Sequence, residues 1–209
     1  WNYEGLEKKH RYGVFEKLVL PLRGSPGRLA NDLHPMNETL GSSRIFELVP
    51  HLTGKPILEG GILTSAVTSL FSYYIQAETS RTCAGFPNRM VPPSFDFERA
   101  TRHLKRFNVK HFIARDARTK HALAESAEWR LIATEQGWEL YELRNHDGQY
   151  VSIPARDPVA VETEDAQEAG LEWMAAEAAF DPPFVFIKPG ETTPDAFSAR
   201  LDHESYRAC

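Results

Sequence analysis

The chain has 209 residues, 42% of them hydrophobic and 11% aromatic, which is enough to bury a continuous core and excludes an extended disordered polypeptide. Twenty-four basic against twenty-nine acidic side chains give a formal charge of −5, so nucleic acid is not an expected partner and an anionic lipid surface is weakly repelled. Two cysteines, Cys83 and Cys209, cannot build a disulfide framework, and no uninterrupted apolar run approaches the roughly 20 residues of a membrane span.

The chain opens on Trp1, Tyr3 and Leu6, an aromatic, amphipathic start that fits either a membrane-proximal segment following a spanning helix or an arbitrary cut. Val14, Phe15, Leu18, Val19 and Leu22 recur at helical spacing before Pro21 and Gly24-Ser25-Pro26-Gly27 punctuate the chain, which predicts a helix and a turn. A short strand is expected over 28–33. Ile45, Leu48, Val49 and Leu52 predict a second helix ended by Gly54 and Pro56, with residues 57–59 extended after it.

The strongest helical stripe joins Leu63, Val67, Leu70, Phe71, Tyr74 and Ile75 through to Glu78, while Thr64, Ser65, Thr68, Ser69 and Ser72 fill the other face. That hydroxyl-rich face fits solvent, a polar ligand, a partner or a second copy of the chain. Asp96 caps a helix carrying Phe97, Ala100, Leu104 and Phe107, and an apolar strand follows over 109–114. A short helix over 120–126 then leads to two strands, 129–134 and 138–143, joined by a Gln136-Gly137 hairpin turn. Asn145 to Gly148 reads as a turn, 150–153 and 159–161 as strands, 165–179 as a last helix and 184–187 as an edge strand.

These elements predict an α/β (or α+β) fold, a mixed sheet flanked by helices in a single domain. The expected organisation is an N-terminal helix and membrane-proximal segment (1–24), a soluble α/β domain (25–188) and a disordered tail (189–209).

No G-x-S-x-G, G-x-x-x-x-G-K-[ST], G-x-G-x-x-G or H-E-x-x-H motif occurs, so no catalytic residue, cofactor or metal is expected from a local signature. The loop with Asp32, His34, Asn37 and Glu38 gathers oxygen and nitrogen donors that suit a metal or a histidine base, or a plain surface loop. Asn37-Glu38-Thr39 also matches an N-glycosylation acceptor. His103, His111 and His121 fall in three different elements and would have to meet in space to form a site. The nearest thing to a basic run, Arg99, Arg102, His103, Lys105, Arg106 and Lys110, falls mostly on the polar side of one short helix. Arg44, Glu47, Glu59 and Glu78 beside Tyr73 and Tyr74 offer carboxylates for sugar hydroxyls and rings for the apolar face of a sugar. Salt bridging and core packing use the same residues.

Three stretches, 41–47 (Gly-Ser-Ser-Arg-Ile-Phe-Glu), 54–60 (Gly-Lys-Pro-Ile-Leu-Glu-Gly) and 71–78 (Phe-Ser-Tyr-Tyr-Ile-Gln-Ala-Glu), resemble a prokaryotic family of polytopic membrane proteins described as related to 6-pyruvoyl-tetrahydropterin synthase. Its members look like membrane glycosyltransferases of the GT-C type with a large extracytoplasmic domain. Residues 103–113 and the Trp138-Glu139-Leu140-Tyr141-Glu142-Leu143 strand fit the same picture, so the likeness runs from about Ser25 to Val161. The resemblance implies an extracytoplasmic, membrane-attached domain, not catalytic alone, that binds or positions a glycan, a polymer or a lipid-linked sugar. Its partners would be the transmembrane portion of a parent protein, with Arg44, Glu47, Glu59, Tyr73, Tyr74 and Glu78 as the cleft. The rival expectation is an interaction or self-assembly module without a small-molecule site.

Overall fold

The computed structural model describes residues 5–58, 69–81, 92–150, 159–175 and 184–190. Two compact units divide the chain, 1–151 and 152–209. In the first, α1 (Tyr12–Val14) runs without a break into a π-helical turn, Phe15–Val19, and a 3-10 turn, Leu20–Leu22. Its apolar stripe of Val14, Phe15, Leu18 and Val19 is fully buried, which is what holds so irregular a helix in place.

β1 (Arg28–Asn31), β2 (Val109–Ala114), β3 (Trp129–Glu135) and β4 (Trp138–Leu143) form a mixed sheet in the order β1-β2-β4-β3. β1 and β2 are parallel; β4 is antiparallel to both of its neighbours. The hairpin between β3 and β4 places Gln136 and Gly137 at φ 48° and 88°, the left-handed pair that matches strand twist. Leu29, Ile113, Trp138 and Leu140 face the helical run 12–22 together with Leu40, Ile45, Phe46 and Val49. On the other face Phe112 and Trp129 meet Phe97 of α4 (Phe97–Arg106) edge-on, at 5.4 and 6.1 Å between ring centres. Helices thus cover both faces of a mixed sheet, the expected α/β architecture.

α2 (Val49–Thr53) follows a 3-10 turn, Ile45–Leu48, and closes on Gly54 in the left-handed conformation. α3 (Ser69–Thr79) packs on α4, and α5 (Ala117–Glu125) is tied to the end of α3 where the Thr119 hydroxyl donates to the Thr79 carbonyl. α5 starts three residues before the expected position because the Asp116 carboxylate caps the Arg118 N–H. Residues Pro35–Leu40, expected as loop, form a 3-10 helix with Pro35 in its first turn.

In the second unit β5 (Val159–Glu162) and β6 (Phe184–Ile187) pair in parallel, with α6 (Ala166–Ala175) between them in sequence. The start of the expected helix at 63–68, the strand at 151–153, Cys83 and the tail from 191 lie outside the described residues.

Candidate functional site at the strand ends

The residues expected to form a cleft have separate roles. Arg44 and Glu47 sit on the 3-10 turn, and the Arg44 Nε lies 2.6 Å from Glu47 Oε1 at the surface. On α3, Tyr73 and Tyr74 are 7% and 6% exposed and Glu78 is fully buried, so these side chains belong to the core and offer no ring face to solvent. Glu59 lies outside the described residues. Ser72, from the hydroxyl-rich face, is also buried and donates to the Leu58 carbonyl.

The Glu78 carboxylate joins two residues of α4. One oxygen accepts Arg99 Nε at 2.6 Å and the other lies 2.6 Å from His103 Nδ1. Tyr74 meets the His103 ring edge-on at 5.8 Å, and burial raises its phenol above the ordinary range. A glutamate–histidine pair is the core of many proton-transfer sites. Here neither side chain is exposed, and the pair works as a clasp between α3 and α4. His111 lies on the opposite sheet face from Phe112, and His121 is exposed with Glu125 3.4 Å away, so neither joins His103. The basic run is largely paired within the protein: Arg99 with Glu78, Arg102 with Glu98, Lys105 with Glu128 and Lys110 with Glu142.

A different set of polar residues gathers at the carboxyl ends of β1 and β2. The chain leaving β1 turns to one face of the sheet, where Leu40 joins the core beneath the helical run 12–22. The chain leaving β2 enters α5, which packs against α4 on the other face. The carboxyl ends of parallel strands whose connections diverge in this way are the usual ligand position of open α/β sheets.

Asp32, 1% exposed, is the buried base beneath these strand ends. Arg115 N–H donates to both of its oxygens, at 3.0 and 2.8 Å, and Asp116 N–H donates at 2.7 Å. Burial pushes its carboxyl up to about 6, against the pull of the Asp116 and Arg115 amides. The carboxylate therefore fixes where the Arg115-Asp116 turn leaves β2. Asn37, also buried, donates to the Asp32 carbonyl and accepts from Trp138 Nε1 at 3.1 Å.

Around this base stand His34, Arg81, Arg115 and Lys120. His34 Nδ1 accepts the Met36 N–H, which leaves Nε2 as its outward atom. Partial burial holds this imidazole below its usual range; Arg115, Arg81 and Lys120 act in the same direction and Asp116 opposes them. Lys120 pairs with Glu139 at 3.3 Å. The Arg115 guanidinium carbon lies 5.1 Å from the centre of the Trp138 ring, and that of Arg11 lies 5.4 Å from it.

The donor-rich loop read from the sequence is thus part of a site, but Asp32 and Asn37 are its foundation. Their partners Arg115 and Trp138 carry no local motif; the only signal for Arg115 is its place between an apolar strand and the capping residue of a helix. Among the described residues no group of three or more His, Cys, Asp and Glu side chains is arranged to hold a metal, and no helix is long and apolar enough to cross a membrane. Two surface hollows lie elsewhere. One is lined by Lys110, Asn145, His146 and Asp147, and the Lys110 ammonium there is held by the Leu143 and His146 carbonyls. The other carries Glu98, Glu125 and Glu128 around Thr101 and Ser126. Comparison with protein-family models, with curated proteins and with solved structures finds no match.

Proposed function

We propose that the chain is the extracytoplasmic domain of a polytopic membrane protein of glycosyltransferase type, binding and positioning a glycan or polymer acceptor at the carboxyl ends of β1 and β2. It does not act as a catalyst alone. The observation that carries the reading is the divergence of the two connections above a buried Asp32 that pins the Arg115-Asp116 backbone. That arrangement makes a rigid polar floor with His34, Arg115 and Lys120 above it, the hydrogen-bonding groups that hold sugar hydroxyls. The resemblance of residues 41–47, 54–60 and 71–78 supplies the membrane and glycan context.

The test is a titration of the protein with a panel of neutral and acidic oligosaccharides, repeated with His34→Ala and Lys120→Ala. Saturable binding weakened by both substitutions is expected. Absence of saturable binding across the panel, or binding indifferent to both changes, overturns the assignment of this site.

Self-assembly has one observation in its favour. β3 ends the strand order, and its Leu131 and Ile132 are 50% and 46% exposed. A second copy paired along this edge would cover both, and static light scattering decides it: a monomer at high concentration removes that reading, whereas a dimer lost in L131K supports it.

A further inference from the structure

We infer that the group held at this site is an anion, a phosphate or a carboxylate on the acceptor, gripped by the Arg115 and Arg11 guanidinium groups that lie against Trp138; this rests on the acceptor-binding reading above.

Arg115 belongs to β2's carboxyl end and Arg11 to the start of the first helix, yet both lie within cation–π distance of one indole ring. Each brings a full positive charge against a buried, uncharged ring, and a bound anion beside it answers that charge. Among the described residues no carboxylate pairs with either guanidinium. The acids nearby are engaged elsewhere: Asp32 by backbone amides, Asp116 by the Arg118 N–H, Glu139 by Lys120 and Glu135 by Lys17.

Arg115 Nε is buried and has no hydrogen-bond partner. Buried N–H groups are nearly always partnered, and the fork of a guanidinium matches the two oxygens of a carboxylate or phosphate. The guanidinium is also pre-placed. It lies flat against the hairpin turn, where a Cβ on Gly137 would come within 3.4 Å of its carbon, and the backbone beneath it is fixed by Asp32. An arginine already ordered loses little freedom on binding.

The local field opposes the overall charge. The chain is acidic, at −5, yet Arg11, Arg81, Arg115 and Lys120 gather around these strand ends. A negatively charged protein that concentrates cations in one place, with Asp32 and Asp116 tied to backbone N–H groups, selects an anion there.

The experiment is calorimetric titration of the full chain with inorganic phosphate, methyl glucuronide and methyl glucoside at constant ionic strength, with the arginine Nε–Hε resonances followed by NMR. Saturable binding of phosphate or glucuronide is expected, at least about tenfold tighter than glucoside, with movement of the Arg115 Nε–Hε signal. Preference for phosphate assigns a phosphorylated acceptor, and preference for glucuronide an acidic sugar. Arg115→Gln and Arg11→Gln are each expected to remove the preference, and Arg115→Lys to restore only part of it. Should Arg115→Gln fail to fold, Arg11→Gln at the helix start carries the same comparison. Equal binding of glucuronide and glucoside, unchanged in R11Q or R115Q, overturns the anion and leaves the acceptor site standing. Binding of none of the three, with the oligosaccharide panel also silent, removes both.

Discussion

His103 Nδ1 and Glu78 Oε2 lie 2.6 Å apart with neither side chain exposed to solvent. With Arg99 on the second carboxylate oxygen, this is the principal polar joint between α3 and α4. Glu78→Ala leaves a buried imidazole and a half-buried guanidinium without their acceptor and is expected to cost about 3–5 kcal/mol in urea denaturation. A cost below about 1 kcal/mol would mean that apolar packing of the helices suffices.

His111 sets a pH dependence. Burial, assisted by Lys55, lowers its imidazole to about 3, with Lys110 acting the same way and Glu142 opposing. Unfolded, it takes a proton near 6.5, so between 6.5 and 3 the unfolded chain binds more protons than the folded one. Stability is therefore full above pH 6.5 and falls as the pH drops toward 3. Denaturation at a series of pH values is expected to show a shallower acid slope in His111→Leu than in the native chain; parallel slopes would contradict this.

Lys55 is 2% exposed, and its ammonium donates to the carbonyls of Ser25, Pro26 and Gly27 and to the Ser25 hydroxyl. Burial, with help from Lys110, brings it down to about 8. Between 8 and 10.5 the folded amine has lost its proton while the unfolded one keeps it, so stability rises with pH across that window. Lys55→Met is expected to abolish this rise and to cost about 1–3 kcal/mol at pH 7 through the unanswered carbonyls.

Gly148 has φ 74°, and a Cβ there would lie 2.8 Å from the Gly27 nitrogen and from Pro26 Cβ. Gly24 has nearly the same φ, 75°, and nothing within 4 Å of its Cβ position. Gly24→Ala is expected to cost only the left-handed penalty of about 1–2 kcal/mol, and Gly148→Ala measurably more. Equal losses in thermal melts would show that the approach of the two loops is not tight.

Where a feature depended on neighbours in sequence, it was legible. The Asp96 cap, the apolar run at 109–114 and the Gln136-Gly137 turn each carry their cause within a few residues, and all three are present. The start of α5 was misread because Asp116 caps it from outside the apolar pattern. The site was legible only in its foundation. Asp32 and His34 stand out as donors, but Arg115 lies 83 residues from Asp32 and reaches it through the parallel pairing of β1 with β2. Likewise Tyr74 and Glu78 invite a carbohydrate reading until His103 and Arg99, 25 and 21 residues from Glu78, are seen to occupy that carboxylate. Pairing across such separations has no local signature, so periodicity and spacing do not reveal it.

In the proposed function the carboxyl ends of β1 and β2 hold the acceptor. Amide chemical-shift mapping with an acidic oligosaccharide tests it most directly. The largest saturable shifts are expected on His34, Arg115, Asp116 and Lys120. Shifts centred on Arg44 and Glu47 or on the β3 edge, or none that saturate, would contradict it.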